Sequence, residues 1–126
     1  MPITDLCPCC SKKPFLDCCG RFLALGAYPN TAEQLMRSRY TAYTLKDYTY
    51  LAKTWHPDYR PERLDEQTDT TQWLSLDIIK TKPGLKKSIV EFKAYYRTDN
   101  DEVCLHEVSL FKKLKNRWVY VQAENF

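Results

Sequence analysis

The sequence predicts an α+β fold, with N-terminal helices packed on one face of a curved antiparallel sheet of about four strands and a small cysteine-rich knuckle ahead of them. Three observations lead there. Five of the six cysteines fall between Cys7 and Cys19, in a stretch with no apolar periodicity. Apolar residues then recur at helical spacing from Thr31 to Trp55, and from Trp73 onward the period changes to two. At 126 residues the chain is one compact domain plus at most a small appendage, read as 1–22 and 23–126. The formal charge of +3 is too small and too scattered to argue for nucleic acid by itself. Three glycines exclude a phosphate-binding glycine loop.

The stretch Leu6 to Gly20 cannot fold by burying a helix or strand face, so its cysteines must hold it. Cys7 and Cys9 form one close pair; Cys18 and Cys19 form another, after eight intervening residues. Two such pairs on a short loop can converge on one tetrahedral ion, and thiolates select zinc over magnesium or calcium. Near-adjacent cysteines are poor disulfide partners because the bridge strains the backbone. The N-terminus lacks the basic start and apolar run of a signal peptide, and no stretch approaches a membrane span. The expectation is therefore a reduced, cytoplasmic protein with a structural zinc on Cys7, Cys9, Cys18 and Cys19, leaving Cys10 over. Four thiolates around Zn²⁺ sum to −2, and Lys12, Lys13 and Arg21 stand near enough to offset that charge. A site filled by four protein ligands has no open position for catalysis.

Residues 20–30 read as a connector. Asn30 or Thr31 caps a helix running to about Leu45, with Ala32, Leu35, Met36, Arg39, Tyr40 and Tyr43 along one side. Arg39 on that stripe either snorkels out of a buried face or lies in a cavity and pairs with a carboxylate or an anionic ligand. Arg37 falls off the stripe and reads as solvated. Asp47 caps a second, short helix to about Thr54, which His56-Pro57 ends. Residues 57–72 are polar, with a candidate helical turn from Pro61 to Glu66 and a turn at Asp69 to Thr71.

Trp73 to Lys82 alternates Leu74, Leu76 and Ile78 against Trp73, Ser75 and Asp77. Pro83-Gly84, Asp99-Asn100-Asp101 and Lys115-Asn116 are turns that separate further strands over Lys86–Thr98, Glu102–Leu114 and Arg117–Ala123. This is an antiparallel meander. A strongly curved sheet of this kind wraps a helix and leaves a cone-shaped cavity.

Two segments carry a resemblance. Cys7-Pro8-Cys9, the eight-residue gap and Cys18-Cys19-Gly20 resemble the SEC-C zinc motif, with Cys10 standing where the motif has Gly. Leu35-Met36-Arg37-Ser38-Arg39-Tyr40, Ala42-Tyr43, Tyr50-Leu51, Thr54-Trp55-His56-Pro57, Trp73-Leu74 and Trp118-Val119-Tyr120 resemble the YchJ-like family of uncharacterised bacterial proteins. Val108 stands where that family's strand carries Arg. The resemblance implies a SEC-C motif ahead of a cone-shaped, cystatin-like fold of the nuclear-transport-factor-2 type. For the motif it implies a small interaction module contacting partners such as the SecB chaperone or the ribosome.

The candidate cavity group is Arg39, Tyr40, Trp55, His56, Trp73, Glu91 and Glu107. An Arg39–carboxylate pair inside the cone is most simply a structural ion pair. Its functional version is a pocket in which Glu107 or His56 acts as general base and Arg39 holds an anion. His106 and Glu107 lie on opposite strand faces by alternation, and Cys104 reads as a small buried hydrophobe. The leading expectation is a non-enzymatic zinc-binding module whose knuckle contacts a protein or ribosomal partner. The alternative is a small-ligand binder or enzyme using the cone pocket. A basic set including Lys86, Lys87, Lys112, Lys113 and Lys115 offers at most a weak nucleic-acid contact.

Overall fold

The structure is a computed structural model, and it describes residues 6–61 and 71–124. The candidate turn at Pro61 to Glu66 and the turn at Asp69 to Thr71 lie largely outside the described residues. The elements are α1 (Gly20–Leu23), α2 (Ala32–Leu45), α3 (Tyr48–Lys53), β1 (Gln72–Lys82), β2 (Lys87–Thr98), β3 (Asp101–Leu114) and β4 (Arg117–Ala123). They form an α+β fold with an open four-stranded antiparallel sheet in the order β1-β2-β3-β4. The connector expected at 20–30 contains one unforeseen piece, the single turn of α1, and a 3₁₀ turn precedes it at Phe15–Asp17.

Local chemistry accounts for the two main helices. Thr31 Oγ1 accepts from Gln34 N at 3.1 Å, satisfying one orphan amide donor of α2, while Gln34 Oε1 accepts from Asn30 N at 2.8 Å and fixes the chain entering the helix. Lys46 closes α2 in the left-handed region, at φ 57°. Asp47 Oδ1 caps α3 through Tyr50 N at 3.0 Å. The helix α2 is buried on more than its expected stripe: Ser38, Thr41 and Ala42 are as enclosed as Leu35 and Met36. The sheet covers one side of α2, and the cysteine knuckle and α3 cover the other.

The sheet bends at irregularities. Between Trp73 and Ser75 the β1–β2 register shifts by one residue, and it shifts again between Ile78 and Lys80. Leu74 and Ile79 are the extra residues, and both are exposed. The first shift corrects the simple alternation. Instead of facing away from Leu76, Trp73 sits on the same face, opposite Tyr96, with the two rings tilted at 53° and their centres 5.2 Å apart. A bulge of this kind re-aims a side chain and increases local twist. A third shift lies between Leu110 and Phe111, opposite β4.

Both sheet edges find partial cover, from backbone on β4 and from a cysteine sulfur on β1. On β4, Tyr120 N donates to Thr54 O at 2.8 Å and His56 N donates to Tyr120 O at 2.7 Å, a short parallel bridge. On β1, Leu76 N donates to Cys10 Sγ at 3.4 Å. Groups paired in this way are withdrawn from pairing with another chain. Among the described residues no helix is long and apolar enough to cross a membrane.

Candidate metal centre and cone cavity

Cys7, Cys9, Cys18 and Cys19 are all buried, and their sulfurs lie within 4.8 Å of one another. Two separations are 3.5 Å (Cys9–Cys18) and 4.0 Å (Cys18–Cys19). A tetrahedral zinc with bonds of about 2.3 Å requires sulfurs about 3.8 Å apart, which these values bracket. All six cysteines are free thiols. Four buried sulfurs this close together can therefore hold a four-thiolate metal ion. Local backbone builds the cluster: Cys7 N donates to Lys13 O at 2.8 Å, closing the first loop, and Cys18 N donates to Phe15 O at 3.0 Å, closing the second. Cys10 and Lys12 both stand at φ 68°, left-handed positions that suit Gly best.

The groups supporting the sulfurs differ in part from the expected ones. Ser11 Oγ donates to Cys18 Sγ at 3.1 Å, and Arg21 Nε donates to Cys18 O at 3.0 Å. Lys12 and Lys13 are exposed instead. The main cation is Arg37, expected to be solvated: its Nη1 donates to Cys9 O at 2.9 Å and lies 3.9 Å from Cys9 Sγ. Burial acts to lower the Arg37 pKa, but Glu33 and Cys9 outweigh it and the net shift is upward. Hydrogen bonds from Cys19 and then Cys9 hold the Cys7 thiol well below its ordinary value, while the same contact with Cys7, then Cys9 and burial, pushes the Cys19 thiol up, so one proton is shared between the two sulfurs. Cys7 Sγ also lies 3.6 Å from Thr41 Oγ1 on α2. The four cysteines share a buried cluster with Leu35, Met36, Phe92 and Phe111, which ties the knuckle to the cone.

The second candidate site is a cavity of about 220 Å³ between α2 and the sheet. Five of the seven expected residues line it: Arg39, Tyr40, Trp55, Trp73 and Glu107. Arg39 is 3% exposed and does not snorkel. Its Nη1 donates to Leu51 O at 2.9 Å and to Thr54 Oγ1 at 2.8 Å. Its guanidinium carbon lies 4.7 Å from the ring centres of both Trp55 and Tyr120. Burial pulls its pKa down, and the neighbouring tyrosines partly offset that. Among the described residues no carboxylate pairs with it, so the expected ion pair is absent; a helix-end carbonyl and two aromatic faces take its place. Glu107 Oε2 instead accepts from Ser109 Oγ and, at 3.1 Å, from Tyr120 OH. Burial, then the Glu107 carboxylate, pushes the Tyr120 pKa up.

Glu91 and His56 do not join the cavity. Glu91 alternates onto the outer sheet face, where its Oε2 lies 2.7 Å from His106 Nε2. Alternation carries Phe92, not Glu91, inward opposite Glu107. The backbone of His56 is committed to the β4 edge, and its Nδ1 accepts from Asp58 N at 3.1 Å. Cys104 is exposed rather than buried, on the same outer face as His106. Two lining features were not foreseen. Trp55 Nε1 and Trp73 Nε1 are both buried without a partner among the described residues. Tyr120, from the closing strand, lies against Arg39, Trp55 and Glu107, and its place in the Trp118-Val119-Tyr120 block was the available signal.

Comparison with known proteins agrees with this architecture. The family described as the YchJ middle NTF2-like domain matches residues 31–123. A UPF0225 protein of Haemophilus influenzae (strain 86-028NP) is 47% identical over 120 residues, covering 91% of this chain and 74% of the relative. One from Photorhabdus laumondii is 38% identical over 129 residues, covering 96% and 81%. The solution structure of a SEC-C motif containing protein from Rhodopseudomonas palustris matches with a TM-score of 0.86 at 34% identity, covering 97% of this chain and 99% of that one. A crystal structure of a SEC-C motif containing protein from Psychrobacter arcticus matches with a TM-score of 0.79 at 28% identity, covering 100% and 87%.

Proposed function

The chain belongs to the uncharacterised YchJ-like (UPF0225) family, and on that premise we propose that it is a non-enzymatic, cytoplasmic zinc protein whose knuckle contacts a protein or ribosomal partner. The observation that carries the zinc assignment is the cluster of four buried sulfurs within 4.8 Å. Cys7, Cys9, Cys18 and Cys19 would hold the ion, and the chemistry it supplies there is structural. It staples two loops that have no apolar face of their own. Four thiolates leave no open coordination position, which favours a structural over a catalytic role. Buried free thiols at this spacing suit a reducing compartment.

The contact surface is the outward side of the same knuckle. Lys12, Lys13 and Pro14 are exposed, and Leu6 is 61% exposed beside them. A basic turn flanked by an apolar side chain fits an acidic partner surface. Metal analysis of protein purified under reducing conditions tests the first part. About one zinc per chain is expected, lost in Cys7→Ser and Cys18→Ser; the absence of zinc from the unaltered protein would overturn it. Co-sedimentation with purified ribosomes, and binding to purified SecB, test the second. Binding to one of them that Lys12→Glu/Lys13→Glu abolishes, with zinc content unchanged, supports the contact. No binding to either, or binding indifferent to the double substitution, rejects it.

A further inference from the structure

We infer that a groove at the hairpin end of the sheet binds a compact, multiply charged phosphate anion of diphosphate size. The inference is independent of the zinc and of the knuckle's contact. The groove holds no cysteine and lies between the connector at 27–29, the end of α3 and the β3–β4 hairpin.

Four cations line this groove of about 520 Å³: Lys53, Arg60, Lys115 and Arg117. All four are exposed, and no carboxylate lines the groove among the described residues. The whole chain carries only +3, so acids and bases nearly balance elsewhere. Like charges gathered in one concavity repel each other, and the low-dielectric walls focus their field on an anion placed inside.

The cations are held in place without being neutralised. The Arg117 guanidinium carbon stands 3.8 Å from the centre of the Tyr28 ring, and Arg117 makes no hydrogen bond or ion pair among the described residues. Stacking of this kind orients a guanidinium and leaves the N–H donors on its rim for oxygens. Both partners of the stack are anchored. Pro29, next to Tyr28, is buried, and Trp118, next to Arg117, donates from Nε1 to Asn30 O at 3.2 Å. Lys115 and Asn116, at φ 51° and 67°, close the hairpin that pairs Leu114 with Arg117. From the helix side, Lys53 Nζ stands 5.4 Å from the Tyr50 ring centre, and Arg60 Nη1 has one long contact, 3.4 Å to Ala52 O. Arg37 and Arg97, in contrast, are each paired with a glutamate.

This arrangement selects among anions. A monocarboxylate answers one cation of the four, whereas a diphosphate brings several charges and several acceptor oxygens in one compact group. A nucleic-acid strand needs open aromatic platforms on which its bases stack. Tyr50 and Trp118 are 4% and 6% exposed, and Arg117 already covers a face of Tyr28, so the groove supplies charge without a stacking track.

The test is titration of the intact protein, purified under reducing conditions, with pyrophosphate, ADP, citrate and a short single-stranded RNA as probes, followed by protein-observed NMR. At about 50 mM NaCl, pyrophosphate or ADP is expected to bind in the micromolar to low-millimolar range, at least about tenfold tighter than citrate, and to weaken severalfold at about 200 mM. The Trp118 indole N–H signal, beside Arg117, is expected to shift. Equal affinities for pyrophosphate and ADP assign the recognition to the phosphates alone, and tighter binding of ADP assigns it to a nucleotide; either supports the inference. Arg117→Met is expected to weaken pyrophosphate about tenfold and Arg60→Gln about threefold. Lys93→Gln removes the same charge from the outer sheet face, opposite His106, and is expected to stay within about twofold. Four results would overturn the inference: no binding of pyrophosphate or ADP at about 10 mM, citrate bound as tightly as pyrophosphate, Lys93→Gln costing as much as Arg117→Met, or RNA bound where pyrophosphate is not, which would assign the groove to nucleic acid. The NMR spectrum of each variant reports that it is folded, and metal content after each titration separates binding from metal stripping by pyrophosphate.

Discussion

Replacing Arg37 with Met tests whether the helix α2 is part of the metal site. Arg37 Nη1 reaches Cys9 O at 2.9 Å and stands 3.9 Å from Cys9 Sγ. It is a cation in direct reach of a sulfur in a cluster whose four thiolates and zinc would sum to −2. A hydrogen bond from a charged donor contributes about 1.5–3 kcal/mol net. With the Arg37 side chain 23% exposed, the lower part of that range applies, about 2 kcal/mol. At about 1.4 kcal/mol per decade this is roughly a 10- to 100-fold loss of zinc affinity, the size expected when a group behind a ligand is removed. Competition with a chromophoric zinc chelator at neutral pH measures it directly. Glu33→Gln is the control. It removes an exposed i,i+4 pair of 3.2 Å but leaves the Cys9 contact, so it should cost about 0.5 kcal/mol or less. Arg37→Lys keeps charge without the planar fork and should fall between them. A folded Arg37→Met protein that binds zinc within twofold of the unaltered chain would refute the reasoning, as would Glu33→Gln matching Arg37→Met.

Three further outcomes follow from the same geometry. Gly20→Ala places a Cβ 2.6 Å from Phe15 O, a backbone atom that also accepts from Cys18 N, so urea unfolding should show a loss of about 1–3 kcal/mol together with weaker zinc binding; an unchanged midpoint would contradict the close approach. Burial holds Tyr50 up at about 12 and also raises Tyr40 and Tyr120 above an unfolded value near 10. The folded state then keeps protons that the unfolded state has lost, so stability is full below pH 10 and falls as pH rises from 10 through 12; a thermal midpoint flat from pH 9 to 11.5 would count against it. Glu91→Gln should change stability by less than about 1 kcal/mol, because its partner His106 is half exposed on the outer face; a loss of several kcal/mol in urea unfolding would contradict that placement.

Residue periodicity reached far into this fold and then stopped at identifiable residues. The caps at Thr31 and Asp47, the four strands and their turns, and the convergence of Cys7, Cys9, Cys18 and Cys19 were legible, because each depends on neighbours within about a dozen positions. Trp73 was legible as a cavity residue only through the family pattern. Simple alternation turns it away from Leu76, and the extra residue at Leu74 brings it back. Glu91 went the other way, where a strict period of two carries Phe92 inward. Neither the partners of Arg39 nor the role of Arg37 could be read locally. Leu51 belongs to another helix and Thr54 is that helix's C-cap, and Cys9 precedes Arg37 by 28 positions.

The amino-acid sequence alone thus determined which segments become helix, strand and metal knuckle, since capping, side-chain period and ligand spacing are short-range properties of the chain. Tertiary packing decided which charges face which partners. It set Arg39 between Trp55 and Tyr120 without a carboxylate, and it laid Arg37 along the thiolate cluster. It also buried the indole N–H groups of Trp55 and Trp73 without an acceptor among the described residues. Such contacts depend on where α2, the bulged sheet and the knuckle come to rest against one another, and close packing sets that placement for all three together.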